Sequence, residues 1–187
     1  DAMQGILAFI PTETKIKYIN ELLRVGFHTL DCGSFVSPRA IPQMRDTSEV
    51  LDSLDLENTD TKLSVIVANE RGGNDAVKFD QVDYLGFPFS VSETFQKRNT
   101  NKSIIESLEK VKYMLDLCQK YDKDMVVYIS MGFGNPYEDE WSSAIVNDWV
   151  GKLVELGVVQ FSLSDTVGVS VPETIGDVFT TVSKSYI

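Results

Sequence analysis

Apolar positions along this chain alternate between two spacings. In TETKIKYINELLRVG, Ile16, Ile19, Leu22 and Leu23 recur at helical intervals, and the stripe ends at Gly26. The short run FHTLDCG then reads as a buried strand around residues 28–31, followed by a helix near 44–54 and the strand KLSVIVA at 62–68. A short helix near 72–78 leads to the strand VDYLGF at 82–87. SIIESLEKVKYMLDLCQKY opens with a capping box, Ser103 with Glu106, and aligns Ile104, Leu108, Val111, Leu115 and Cys118 on one face. The strand DMVVYIS (124–130), a helix at about 139–156 and the strand VVQFSLS (158–164) follow. A last helix is predicted from the box Ser170–Glu173, with Pro172 in its first turn and Ile175, Val178, Phe179 and Val182 as its stripe.

Strands and helices that alternate, with nearly continuous apolar strands, imply an α/β fold with a parallel sheet covered by helices. Two closures satisfy this pattern, an open doubly wound sheet or a (β/α)8 TIM barrel. No glycine-rich phosphate loop follows any predicted strand, which disfavours a nucleotide-binding open sheet. Polar residues follow the strands instead: Asp31, Asn69 and Glu70, Ser90 to Glu93, Ser130 and Asp165. Side chains of this kind at successive strand ends are what a barrel active site requires, so the barrel is the expectation. Five strands are clear, six if Asp1 ends another, whereas a whole barrel has eight strands and about 250 residues. The chain is therefore expected to be an incomplete barrel, from strand 1 or 2 through helix 6, forming a single domain over residues 1–187. It starts at Asp1 with neither an initiator Met nor a signal pattern and reads as the interior of a longer protein.

One stretch breaks the rhythm. SFVSPRAIPQM, residues 34–44, occupies far more chain than a tight strand-to-helix turn needs. Pro38 and Pro42 stiffen it, and Pro38 restricts Ser37 before it. A long stiff loop at the C-terminal end of a barrel strand is a place for function, with Phe35 and Val36 packing over the mouth and Arg39 available to substrate or a partner subunit.

Composition narrows the function classes. The 187 residues are 43% apolar and 24% charged, ordinary for a globular domain, and no run of about 18 apolar residues suggests a membrane span. A net charge of −11 argues against nucleic-acid binding and requires any anionic ligand to find local positive charge. Lys97, Arg98 and Lys102 form one such cluster, though on charge alone a solvated loop is the simpler reading. Cys32 and Cys118, far apart, read as reduced thiols of a cytoplasmic protein, with Cys118 as inert packing on a helix face. His28, the only histidine, alternates with Asp31 along its strand and reads as a packing residue.

Several motifs then make a family recognisable. SFVSPRAIPQMRDTSEVL, SETFQKRNTNKSIIESLEK, YISMGFGNPYEDE and FSLSDTVGVSVPETI resemble, in order and spacing, the hydroxymethylglutaryl-CoA lyase-like family of metal-dependent TIM-barrel lyases and Claisen-type synthases. DAMQG resembles the family's Arg-Asp-x-x-Gln motif without its Arg. The resemblance implies a carbon–carbon lyase acting on a 3-hydroxy acyl-CoA or oxo-acid substrate with a divalent cation, Mg2+ or Mn2+, and a homodimer. It places Asp1 as a metal ligand, a carboxylate suited to a hard cation, and Gln4 in the substrate site. Asp31 stands where the family has a Glu, and Asp165 matches the acidic residue at the end of strand six; both are candidates for catalysis. Capping of the following loop or turn is the competing reading for each.

SETFQKRN resembles the family loop after strand four. That match puts Ser92, Glu93 and Asn99 beside the acyl-CoA and Lys97 and Arg98 near its phosphates. Tyr128 and Ser130 resemble pocket-lining positions, and Asn135 replaces a family Cys. The family's metal site also uses a His-x-His pair and an Asn, and its acid is a Cys in a glycine-rich loop, none of which matches this chain. The 187 residues alone are thus expected to bind the cation weakly and not to turn over. An aldolase or condensing synthase of the isopropylmalate or citramalate type, and a non-catalytic barrel used for binding, are the alternatives.

Overall fold

The computed structural model describes residues 2–186. Helices α1 (Thr12–Leu23), α2 (Thr47–Asp52), α3 (Glu70–Ala76), α4 (Glu93–Thr100), α5 (Ile104–Tyr121), α6 (Ser143–Glu155) and α7 (Pro172–Tyr186) are interleaved with five strands. The strands are β1 (Thr29–Ser34), β2 (Lys62–Ile66), β3 (Val82–Ser90), β4 (Asp124–Ser130) and β5 (Gln160–Leu163). They form one sheet in the order β1-β2-β3-β4-β5. Parallel pairing sets Thr29 opposite Lys62, Leu63 opposite Val82 and Val126 opposite Gln160. Strand order that follows chain order is the arrangement of a barrel wall. A doubly wound sheet reverses direction at a switch point, and this one does not.

By contact density the chain divides into residues 1–86 with 117–124, and residues 87–116 with 125–187. The first unit buries Ile19 and Leu23 of α1, Val50 and Leu51 of α2, and Leu63 and Val65 of β2. The second buries Phe89, Val127 and Ile129 from strands and Val146, Val150 and Leu153 from α6. Each such side chain contributes about 1.5–3 kcal/mol through loss of apolar surface from water.

Several local expectations need correction. SETFQKRN is not a loop but helix α4, capped by the Ser92 hydroxyl, which accepts the Phe95 N–H at 3.1 Å. It carries no apolar stripe, yet Glu, Gln, Lys and Arg are good helix formers, and Gln96 is its one buried side chain. The helix near 44–54 is a 3-10 turn, Pro42–Met44, followed by α2. β3 runs on through Pro88 to Ser90, since the fixed φ of proline suits extended backbone. Residues 2–5 form a 3-10 turn, and Asp1, on which a sixth strand depended, lies outside the described residues. His28 is exposed just before β1, with Nδ1 2.8 Å from the Thr29 hydroxyl, and is not a packing residue.

The box Ser103–Glu106 forms as expected: Glu106 accepts the Ser103 N–H at 2.7 Å and Ser103 Oγ accepts the Glu106 N–H at 3.1 Å. Ser170 does something else, donating its hydroxyl to Asp165 at 2.6 Å. On α7 only half of the expected stripe is covered: Val178 and Val182 are buried, while Ile175 is 45% and Phe179 59% exposed.

Candidate functional site

Within the second unit, most of the predicted substrate-binding residues lie on or beside α4. The helix is anchored from below by Gln96, whose Oε1 accepts the Ser90 N–H at 2.8 Å. Its Nε2 donates to Thr100 and Ser107, each at 2.8 Å. Glu93 turns toward α5, where one oxygen accepts the Ile104 N–H at 3.0 Å and the other pairs with Lys97 at 3.0 Å. The Ile104 amide holds the Glu93 carboxyl below its ordinary value, helped by Lys97. Lys97 is thus already paired, which leaves Arg98, exposed like Asn99, as the outward cation of the helix.

The segment after β4 closes over this helix. Asp139 accepts the Ser92 hydroxyl at 2.5 Å, the Thr94 N–H at 2.9 Å and the Thr94 hydroxyl at 2.8 Å. Those donors, Ser92 first, lower the Asp139 pKa by favouring its charged form. Asn135 folds the segment on itself: its Oδ1 accepts the N–H groups of Tyr137 (3.0 Å) and Asp139 (3.2 Å), and its Nδ2 donates to the Asp139 carbonyl at 2.9 Å. The Tyr137 ring stacks on Phe95 at 6.4 Å, and the Arg98 guanidinium sits 4.7 Å from its centroid. Neither Asp139 nor Tyr137 was singled out from the sequence. Both lie in the stretch YISMGFGNPYEDE, in which only Tyr128, Ser130 and Asn135 carried a reading.

Ser92 is 1% exposed and its hydroxyl is committed to Asp139 and the helix cap. The buried Ser130 offers its carbonyl to the Val91 N–H at 3.2 Å and to the Ser90 hydroxyl at 3.4 Å, while Tyr128 is half-buried on β4. The backbone turns sharply here. Met131, fully buried, holds φ +59° and donates its N–H to the Thr166 hydroxyl at 2.8 Å. A non-glycine residue in that region stores strain that the surroundings must maintain. Asp165, beyond β5, accepts the N–H groups of Val169 and Ser170 at 3.0 Å each, as well as the Ser170 hydroxyl. Those bonds, the hydroxyl first, lower its pKa, so it is a carboxylate at neutral pH. A separate cavity of about 780 Å3 is walled by Val154, Val159, Phe161, Ile175 and Phe179, and none of the predicted site residues lines it.

In the first unit Asp31 lies half-buried on β1, where the register shifts between Asp31 and Gly33, and Gln4 is exposed in the N-terminal 3-10 turn. The long loop leaves β1 with Phe35 against Phe79 at 5.5 Å. A Cβ on Gly72 would lie 2.6 Å from the Phe35 carbonyl oxygen, so α3 approaches this loop only because residue 72 is glycine. Ser34, Phe35, Val36, Arg45, Arg71 and Lys78 contribute to a cavity of about 290 Å3 beside it.

Burial pushes the thiols of Cys32 and Cys118 up to about 12, so neither is a nucleophile or acid near neutral pH. Asp1 lies outside the described residues. Among the described residues no group of three or more His, Cys, Asp and Glu side chains could hold a metal ion. They do not make up a cation site.

The model of the HMGL-like family matches residues 1–186. The mouse mitochondrial hydroxymethylglutaryl-CoA lyase is 33% identical over 182 residues, covering 97% of this chain and 55% of that protein. The Bacillus subtilis hydroxymethylglutaryl-CoA lyase YngG is 35% identical over 175 residues, 94% of this chain and 58% of its own length. The crystal structure of a Bacillus subtilis HMG-CoA lyase superposes with a TM-score of 0.92 at 33% identity, covering 98% of this chain and 61% of that one. An HMG-CoA lyase from Acinetobacter baumannii, solved in complex with coenzyme A and 3-methylmalate, superposes with a TM-score of 0.88 at 27% identity, over 100% of this chain and 61% of that one. The chain spans a little over half the length of the curated relatives it matches. Its sequential parallel strands are part of a TIM barrel of their kind, and the chain belongs to the HMGL-like family of enzymes.

Proposed function

We propose that the protein is a carbon–carbon lyase that cleaves hydroxymethylglutaryl-CoA, or a close 3-hydroxy acyl analogue, to acetoacetate and acetyl-CoA. The observation that carries this reading is the match to hydroxymethylglutaryl-CoA lyases along essentially the whole chain, in sequence and in backbone together. The chemistry is a retro-Claisen cleavage: the tertiary hydroxyl loses its proton, the adjacent carbon–carbon bond breaks, and the acetyl-CoA enolate is protonated. A divalent cation is the family's expected Lewis acid, with Asp1 as its ligand here. Because the described residues do not assemble a cation site, the steps assigned to this chain concern protons and positioning alone.

Asp31 and Asp165 are the carboxylates proposed to serve the substrate hydroxyl. Asp165, ionised and held by three donors, is a well-fixed acceptor that, as the geometry stands, organises the turn from 165 to 170. Asp31, the third residue of β1, is proposed to take the proton of that hydroxyl. Gln4, Tyr128 and Ser130 are proposed to line the acyl pocket. Ser92 and Glu93 support α4 from within it, while Lys97, Arg98 and Asn99 face the phosphorylated part of the coenzyme. This chain is proposed to lie in a single barrel domain, in a cytoplasmic homodimer. Two reduced buried thiols fit that compartment, and no described helix is long and apolar enough to cross a membrane.

The test is a chimera in which residues 1–187 replace the matching segment of the Bacillus subtilis relative, assayed with Mg2+ against acyl-CoA and oxo-acid substrates. Acetoacetate released from hydroxymethylglutaryl-CoA supports the lyase. Turnover of a 2-oxo acid with acetyl-CoA instead makes the chain a condensing synthase. A folded chimera that binds ligands and turns over neither supports a non-catalytic barrel.

A further inference from the structure

Within the second unit, one surface group makes more of the helix α4 than its own sequence would. Asp139 receives three hydrogen bonds from residues 92 and 94, so its charge is spent on the start of the helix, where the backbone dipole favours it. Two residues earlier, Tyr137 is carried across the helix face. It lies against Phe95 and under Arg98, which are three residues apart and share that face. Asn135 closes the same segment through both ends of its amide. Glu93 meanwhile takes Lys97, and among the described residues no carboxylate pairs with Arg98. The result is one exposed guanidinium, restrained by an aromatic ring and unneutralised, in a chain whose net charge is −11. A planar guanidinium held this way presents two parallel donors to a phosphate with less rotamer freedom to lose on binding.

We propose that Asp139 is a positioning residue: by pinning the 135–139 segment to the start of α4 it holds Tyr137 in place, and Tyr137 presents Arg98 to a phosphate of coenzyme A. This rests on the acyl-CoA reading above. Asp139 acts only through Tyr137 and Arg98 and touches no ligand itself. It differs from an ordinary helix cap in what its removal disturbs, namely a cation at the far end of the helix rather than the helix alone.

Calorimetric titration of the 187-residue chain with coenzyme A, and with dephospho-coenzyme A, is the experiment. The variants are Arg98→Gln, Tyr137→Leu, Asp139→Ala, Asp139→Asn and the double variant Arg98→Gln/Asp139→Ala. Hydrogen exchange of residues 92–100 and 131–142 is followed in each. Loss of one bidentate phosphate contact is expected to weaken binding about tenfold in Arg98→Gln. Asp139→Ala and Tyr137→Leu are expected to lose several-fold, with faster exchange in both segments. Asp139→Asn, which keeps an acceptor for the Thr94 N–H, should fall between Asp139→Ala and the parent. The double variant should bind no more weakly than Arg98→Gln alone, because Asp139 has nothing to contribute once the guanidinium is gone.

Unchanged affinity in Asp139→Ala despite released exchange, or losses that add in the double variant, would overturn the positioning role. If Asp139→Ala fails to fold, the same comparison is made with Asp139→Asn. A folded parent chain that binds neither coenzyme overturns the acyl-CoA reading itself. That outcome is distinct from failure of the clamp, which requires a parent that binds.

Discussion

Asp46 in the first unit and Asp139 in the second both stitch a loop to the start of a helix, and they do it in opposite surroundings. Asp46 accepts the Thr12 hydroxyl at 2.8 Å and the Lys15 ammonium at 2.7 Å, with the two charged side chains only 8% and 2% exposed. Lys15 also donates to the Gln43 carbonyl, and the Gln43 amide holds the segment before α1 through Ile6, Ala8 and Ile10. Among the described residues Asp139 has no ion-pair partner; hydroxyls and an amide satisfy it at a half-exposed position. A buried pair gains little net energy over apolar packing but is costly to break singly, because the survivor is left charged and dry. A half-exposed carboxylate can be lost to water cheaply. The first unit therefore keeps its ion pair as a lock on structure. The second has a network weak enough to be lost from α4 without risking the fold.

Breaking the lock gives the largest expected effect. Lys15→Ala should cost about 3–5 kcal/mol in urea unfolding, whereas Lys15→Met paired with Asp46→Leu should recover most of it. A Lys15→Ala loss no larger than that of a surface substitution would show that the buried pair is no lock. Next in size is Gly72→Ala, where a Cβ 2.6 Å from a backbone oxygen forces the loop or α3 to move, at about 1–3 kcal/mol in thermal melting. Asp139→Ala should cost about 1 kcal/mol, the scale of a lost cap.

The Asp139 term also has a pH signature. Folding lowers the Asp139 and Glu93 pKa values below their ordinary 3.8 and 4.5, so the folded chain binds fewer protons than the unfolded one in that range. Their contribution is present in full above those values and is lost as pH falls through the lower folded ones. The gap between the parent and Asp139→Ala in urea titrations should then be constant near neutrality and close below about pH 4. Smallest of all, Arg24→Ala removes an exposed pair with Glu21 and should change stability by at most about 0.5 kcal/mol.

The same contrast explains what could be read from the sequence. The β/α rhythm was legible because a helix or strand packed on one face writes its period into apolar residues, as Ile19 and Leu23 do in α1 or Val111 and Cys118 in α5. Lys15 was not, since a buried ammonium four residues before Ile19 looks like an exposed lysine until its partner, thirty-one positions away, is seen. α4 was missed for a related reason: its buried side is the single amide of Gln96. Asp139 was hidden between Glu138 and Glu140, where only folding decides which carboxylate meets the helix. Of the predicted site, Glu93, Lys97, Arg98 and Asn99 share α4, with Ser92 as its cap. Gln4 and Asp31 belong to the first unit. The apolar half of α7 was read correctly as a stripe, but the stripe does not say which part of it is covered.

The proposed lyase must recognise a coenzyme A thioester rather than the acid alone. Titrating the folded chain with hydroxymethylglutaryl-CoA and with free hydroxymethylglutaric acid, while assaying acetoacetate, tests that claim. Saturable binding of the thioester, far weaker binding of the free acid and no acetoacetate are expected, since the only histidine is the exposed His28. Equal affinity for acid and thioester, or appreciable cleavage by these 187 residues, would contradict it.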